Sequence, residues 1–159
     1  MIILNDTFIG DARISQIFGI NPKMYKKYGL KGHNGIDFAC KTGTQLLAPF
    51  DGKIIEFGYD PQGYGNYVKI WSQKQRACIL YGHLKSFNVK WGQMMKSGQL
   101  IGWSDNTGYS TGAHLHMGLC LTNSSGYRLN KNNGFSGYVN PLDKKIVKWV
   151  LKNPIKPVL

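Results

Sequence analysis

Residues 114–121, HLHMGLCL, alternate strictly: Leu115, Met117, Leu119 and Leu121 are separated by His114, His116, Gly118 and Cys120. That is the period of a half-buried strand, not of a helix. It places His114 and His116 together on the face opposite the leucines, expected to meet solvent. Their Cα atoms then lie roughly 6.5–7 Å apart. The same reading predicts strands at RISQIF (13–18), IDFA (36–39), QLLAPF (45–50) and KIIEFG (53–58), the last after the turn pair Asp51-Gly52. GYGNYVKIWS (63–72) is a glycine turn feeding a strand, with Val68 and Ile70 facing one way and Tyr67, Lys69 and Trp71 the other. ACILYGHL (77–84) is its expected antiparallel partner, and GQLIGW (98–103) leads through the glycine-rich SDNTGYSTG to the histidine strand. Residues 19–35 read as a long polar loop. A helix is expected over 140–151, with Asn140 as its cap, Pro141 at its first position, and Ile146, Trp149 and Val150 at helical spacing. Strands dominate, so the prediction is a mainly β, antiparallel domain.

Composition narrows the class without naming a function. A chain of 159 residues can bury one real core. Twenty glycines against six prolines favour short strands joined by turns. No apolar run approaches the ~20 residues of a membrane span. MIILNDTFIG has no basic n-region and too short an apolar run for a signal peptide, which sets the expectation of cytoplasmic synthesis. Cys40, Cys78 and Cys120 form no C-x-x-C pair, which excludes a four-cysteine zinc knuckle; all three are expected reduced and buried. The formal charge of +12 points to an anionic partner: nucleic acid, membrane surface or wall polymer. The basic residues are dispersed rather than gathered in an arm, and no nucleic-acid motif accompanies them.

The chemistry sits in four histidines and one aspartate. GHNGIDFA holds His33 and Asp37, an H-x-x-x-D spacing. On a straight strand these side chains would stand ~13 Å apart, so they can share a metal only if His33 lies on a loop that folds back, which the turn-prone HNG permits. Adding one histidine of H-x-H gives two imidazoles, a carboxylate and an open position, the ligand set of a catalytic zinc. Cys120, ~13 Å along the strand from His116, is too far to join it. The two histidines left over, His83 and the other member of the H-x-H pair, can take a proton from water or stabilise an oxyanion. Spacing alone does not say which of His114 and His116 is the ligand.

Taken in order, GHNGIDFA, TGTQLLAPFDGKI, GYGNYVKI, LYGHL, SGQLIGWSDNTGYSTGAHLHMGL and VNPL resemble the lysostaphin/LytM-type zinc metallopeptidases over about Ile14 to Leu142. The resemblance implies that His33, Asp37 and His116 bind one zinc ion per chain, and that His83 and His114 work on the water and the scissile amide. It implies an antiparallel β-sheet groove (duplicated hybrid motif-like) flanked by loops, and hydrolysis of peptide bonds in peptidoglycan stems or cross-bridges. Family members carry a tyrosine a few residues before the first ligand, and Tyr28 is the match, displaced by about one position. Tyr64, Asn66, Tyr109 and Ser110 are the further candidates for lining the groove.

The expected organisation is an N-terminal segment over 1–12, a catalytic domain over 13–142 and a C-terminal helix or tail over 143–159. Bacterial peptidoglycan is the expected partner. Without a leader, action at the wall would follow release at lysis or carriage on a virion, as for a phage lysin or tail assembly. Two rivals set the terms of the test: a catalytically inactive LytM-like wall-binding or structural module, and a basic nucleic-acid-binding β domain. The second accounts for the charge and leaves the histidine order unexplained.

Overall fold

The computed structural model describes residues 1–8 and 13–152; residues 9–12 and 153–159, parts of the expected terminal segments, lie outside the described residues. Among the described residues, twelve strands follow in chain order: β1 (Ile2–Leu4), β2 (Arg13–Gln16), β3 (Ile36–Ala39), β4 (Gln45–Leu47), β5 (Gly52–Asp60), β6 (Gly65–Ser72), β7 (Ala77–Phe87), β8 (Met94–Met95), β9 (Leu100–Ser104), β10 (His114–Leu121), β11 (Tyr138–Val139) and β12 (Val147–Trp149). Ten of them form one sheet whose main path runs β2-β3-β10-β7-β6-β5-β8, with β11 paired to β10, and β9 linking β4 to β7. The sheet is antiparallel throughout. The mainly β, antiparallel expectation therefore holds.

Alternation explains which face each strand buries. Ile36 and Phe38 of β3, Leu115, Met117 and Leu119 of β10, Ile79 and Tyr81 of β7, and Val68 and Ile70 of β6 enter one core, joined by Leu4, Leu46, Ile101 and Val147. The opposite side of the sheet carries a smaller cluster, Cys78, Leu80, Cys120 and Tyr138, with Phe18, Tyr64, Tyr67, Trp71 and Phe135 packed against it. Val68/Ile70 against Tyr67/Trp71 is the split read from β6. The three cysteines are free thiols; Cys78 and Cys120 are buried and face each other across β7 and β10, whereas Cys40 is only partly buried.

Two expectations are corrected. First, no helix spans 140–151. Asn140 Oδ1 accepts from Leu142 N (2.9 Å) and Asp143 Oδ1 from Lys145 N (2.9 Å), giving two side-chain-closed turns. Such local bonds compete with helix formation. The chain then enters β12, which pairs in parallel with β1, Ile2 opposite Val147 and Leu4 opposite Trp149. Val147 and Trp149 face inward while Lys148 and Val150 are exposed, a period of two that the helical spacing of Ile146 and Trp149 concealed. The one short α-helix among the described residues, α1, lies instead at Pro22–Tyr25 inside the expected polar loop, followed by a 3-10 turn at Lys26–Tyr28. Second, the histidine face of β10 is not an open surface: His114 is part-exposed in a groove and His116 is buried. His116 is only 3% exposed, because the loop carrying α1 and the tyrosines of the smaller cluster wall it in. No helix among the described residues is long and apolar enough to cross a membrane.

Candidate metal centre and groove

Strand register puts the pieces together. Asp37 of β3 and His116 of β10 are directly opposed cross-strand partners, and Gly82 of β7 flanks His116 on its other side. His33 reaches them because its loop folds back, as the HNG turn allows. Gly19 N donates to His33 O (2.8 Å), His33 N to Ile20 O (2.9 Å), and His33 Nδ1 to the Ile17 carbonyl (3.1 Å). That last bond fixes the proton on Nδ1 and leaves Nε2 with its lone pair. His33 Nε2, His116 Nδ1 and Asp37 Oδ1 form a nearly equilateral triangle, with sides of 3.0, 3.0 and 3.1 Å. Tetrahedral bonds of ~2.0 Å place ligand atoms roughly 3.3 Å apart. A donor set of two imidazole nitrogens and a carboxylate oxygen, all buried and converging, fits a small divalent cation. Among the described residues His116 Nε2 has no hydrogen-bond partner, so the polar contacts of this ring are on its Nδ1 side.

Space for that ring depends on Gly35. A Cβ there would come within 2.7 Å of His116 Cε1, 2.9 Å of its Nε2 and 2.5 Å of the Met117 carbonyl oxygen. The glycine of HNGID is therefore a requirement of close approach between β3 and β10.

His83 and His114 stand beside the triangle, their ring centroids 4.6 Å apart. His83 occupies an irregular stretch of β7 and has φ 63°, a left-handed conformation unfavourable for a residue with a side chain. Three bonds hold it there: its N to Tyr64 O (2.6 Å), its O from Asp105 N (3.0 Å), and its Nδ1 to Thr107 O (2.7 Å). The Thr107 bond assigns the proton to Nδ1 and frees Nε2. His114 Nδ1 lies 2.8 Å from the Gly112 carbonyl and 3.2 Å from Ser110 Oγ, and its Nε2 is 3.6 Å from Asp37 Oδ2. Both histidines are thus oriented by the glycine-rich loop 105–113, which explains the chemistry-bearing company of NTGYSTG.

Burial, reinforced by neighbouring His116 and His114, pushes His83 down from 6.5 to about 4, so its ring is neutral near pH 7. His116 is lowered by burial against the opposing pull of Asp37. Burial by itself would raise the Asp37 carboxyl; hydrogen bonds from His116 and His33 outweigh it and hold the group well below the usual carboxylate range.

A groove of about 430 Å³ opens over the triangle. Tyr28, Tyr64, Tyr109 and Ser110 line it, as read from the sequence. The Tyr64 ring lies 5.3 Å from that of His116, and its hydroxyl accepts from Asn34 Nδ2 (2.6 Å). Tyr28 donates its hydroxyl to the Gln62 carbonyl (2.7 Å), bridging the α1 loop to the β5–β6 turn. Tyr109 is exposed and carries Lys27 Nζ 3.6 Å from its ring centroid. Asn66 does not line the groove. Its Nδ2 donates to the Leu84 and Lys85 carbonyls (3.1 and 3.2 Å), stitching β6 to β7 at the irregular stretch. The residues missed were Tyr25, Tyr138 and Arg128. Tyr25 stacks on His33 with centroids 5.3 Å apart and accepts from Gln16 Nε2 (2.9 Å); burial and the Asp37 charge push its phenol up to about 12.

With this geometry in hand, comparison with known proteins defines the class. Residues 31–128 match the model of peptidase family M23, more than half of the chain, and the protein belongs to that family. The chain is 45% identical over 91 residues to the glycyl-glycine endopeptidase ALE-1 of Staphylococcus capitis, covering 56% of this chain and 25% of that protein. It is 38% identical over 109 residues to the peptidoglycan DD-endopeptidase ShyB of Vibrio cholerae, covering 66% of this chain and 25% of that one. A solved zinc-containing peptidase from Vibrio cholerae shares the fold at a TM-score of 0.63 and 34% identity, covering 76% of this chain and 37% of the other. The chain thus spans about a quarter of the length of the curated relatives it matches.

Proposed function

We propose that this protein is a zinc-dependent endopeptidase that hydrolyses peptide bonds in the stems or cross-bridges of bacterial peptidoglycan. The observation that carries the reading is the triangle of His33 Nε2, His116 Nδ1 and Asp37 Oδ1, 3.0–3.1 Å on a side, with two further histidines standing beside it in a groove. Two nitrogens, one carboxylate and an open position are the donors of a catalytic zinc, and relatives named as endopeptidases of glycyl-glycine and peptidoglycan bonds support the substrate class. When bound, zinc supplies Lewis acidity toward a carbonyl and makes water acidic enough to attack near neutral pH.

The chain's own groups do the rest. His83, neutral and clamped through Nδ1 to Thr107, offers Nε2 as the proton acceptor for the attacking water. The proton His83 takes from the water is the one returned to the leaving amine, and His114, clamped through Nδ1 to Gly112, holds Nε2 toward Asp37 beside that transfer. Tyr25 and Tyr64 wall the groove and keep the substrate chain over the triangle. An inert wall-binding module would have no use for the strained His83 backbone or for two tautomer-fixing bonds beside the donor set.

Metal analysis joined to wall clearance tests the proposal. One zinc per chain, turbidity loss of a cell-wall suspension, arrest by chelator and recovery on adding one equivalent of zinc are expected. His33→Ala and His116→Ala should neither retain zinc nor clear walls. Undiminished clearance by metal-free protein, or stoichiometric zinc in His116→Ala, would overturn it.

A further inference from the structure

We infer that Arg128 and Tyr138 form a carboxylate-binding subsite of this groove, reading a free carboxylate about two residues from the scissile bond. The inference rests on the endopeptidase reading for the identity of its ligand, but its geometry is independent of that reading. Arg128 lies in the segment between β10 and β11, lines the same groove as the metal triangle, and is half-buried.

The place is built. His116, Gly118 and Cys120 share one face of β10. Gly118 has no side chain there, and the Tyr138 ring occupies the space: a Cβ on Gly118 would come 2.6 Å from Tyr138 Cε1. The Arg128 guanidinium lies on that ring, 4.6 Å from its centroid. Gly137 (φ 81°) turns tightly underneath, where a Cβ would come 2.6 Å from Arg128 Cδ. Strand, ring and guanidinium are thus stacked in order, with room left by two glycines.

The cation is also unspent. Arg128 Nη1 donates to the Ser136 carbonyl (2.7 Å), and among the described residues no carboxylate stands within ion-pair distance. A guanidinium offers five N–H donors in a fork matched to a carboxylate. Lys69 on the same groove is different: it is engaged by Glu56 at 2.8 Å, and Tyr67 donates to the same Glu56 carboxylate (2.9 Å). A partly desolvated, preorganised and unpaired guanidinium in a peptide groove is a receptor for a planar anion.

Position fixes what it reads. Along β10, His114 lies one step from His116 on one side and Gly118 one step on the other, each roughly 6.5–7 Å. The subsite therefore sits on the far side of the metal triangle from His114. An extended peptide spans ~3.3–3.6 Å per residue, so that step is about two residues of substrate.

The test uses the zinc-loaded protein and two synthetic wall cross-link peptides, identical except for a free carboxylate or a carboxamide two residues from the scissile bond. Hydrolysis gives KM and kcat, and calorimetry gives affinity independently of turnover. The wild type should prefer the carboxylate by tenfold or more, mainly in KM. Arg128→Gln should abolish that preference while leaving the carboxamide peptide unchanged, and Arg128→Lys should restore part of it. Equal handling of both peptides by the wild type, or an equal loss on both in Arg128→Gln, would overturn the subsite and leave the endopeptidase reading standing. Failure to hydrolyse either peptide, with a calorimetric preference that Arg128→Gln removes, would sink the endopeptidase reading and keep the subsite. Neither turnover nor preference would remove both.

Discussion

Adding one methyl group at Gly35 should weaken the proposed zinc site before it costs the fold. In Gly35→Ala the new Cβ would stand 2.7 Å from His116 Cε1, 2.9 Å from Nε2 and 2.5 Å from the Met117 carbonyl oxygen, where ordinary contacts are 3.4–4 Å. The overlaps are thus roughly 0.5–0.9 Å, and overpacking of this kind costs about 1–3 kcal/mol. Relief has two routes: β3 separates from β10, or the imidazole swings away. Either one moves His116 Nδ1 relative to Asp37 Oδ1 and His33 Nε2, its partners at 3.0 Å. Metal–ligand distances tolerate only about 0.2 Å. A shift of about 0.5 Å should therefore weaken zinc by at least the ~10–100-fold seen when ligand-orienting partners are removed. Competition against a chromophoric chelator measures the affinity, and urea unfolding of the metal-free protein measures the packing cost separately. Gly35→Ala binding zinc within twofold of wild type, with an unchanged urea midpoint, would refute the claim that this glycine makes room for a ligand.

His83→Ala and His114→Ala should each keep one zinc per chain yet lose ~10²–10⁴-fold in kcat, read by steady-state hydrolysis together with metal analysis. Asn66→Ala should lose roughly 0.5–1.5 kcal/mol of stability, because its amide's two bonds to the β7 backbone disappear, while KM stays within twofold. In metal-free protein, His83 titrates about 4 when folded against 6.5 when unfolded, so the unfolded chain binds more protons between those values. Its contribution, on the order of 3 kcal/mol, is complete above pH 6.5 and is lost as pH falls toward 4. Urea midpoints across that window should fall steeply for wild type and flatten for His83→Gln; parallel slopes would contradict the assignment.

Much of this architecture was legible because it is local. IDFA coincides with β3, and the alternation of Leu115, Met117 and Leu119 fixes both the strand and its core face. His33 and Asp37 could be joined only through a turn, and the HNG turn supplies it. What escaped depends on partners distant in sequence. The strand Val147–Trp149 exists because β1 lies beside it, and Ile146, Trp149 and Val150 satisfy a helical period as well as an extended one. The burial of His116 comes from His33, Gly35 and Tyr64 closing over its ring, which periodicity within β10 does not encode. Asn66 looked like a groove residue because its glycine turn borders the groove, yet an irregular register turns its amide toward β7. Arg128 and Tyr138 follow a stretch without hydrophobic periodicity, and only the space over Gly118 shows where they go.

On the proposed function, one type of peptide bond is broken by a defined set of side chains. Mass spectrometry of fragments released from peptidoglycan with direct and with glycine-bridged cross-links tests it most directly. The zinc-loaded protein should release fragments with new amino and carboxyl termini at one type of peptide bond, and His116→Ala should release none. Intact cross-links in both walls, with one zinc per chain confirmed in the same sample, would contradict it.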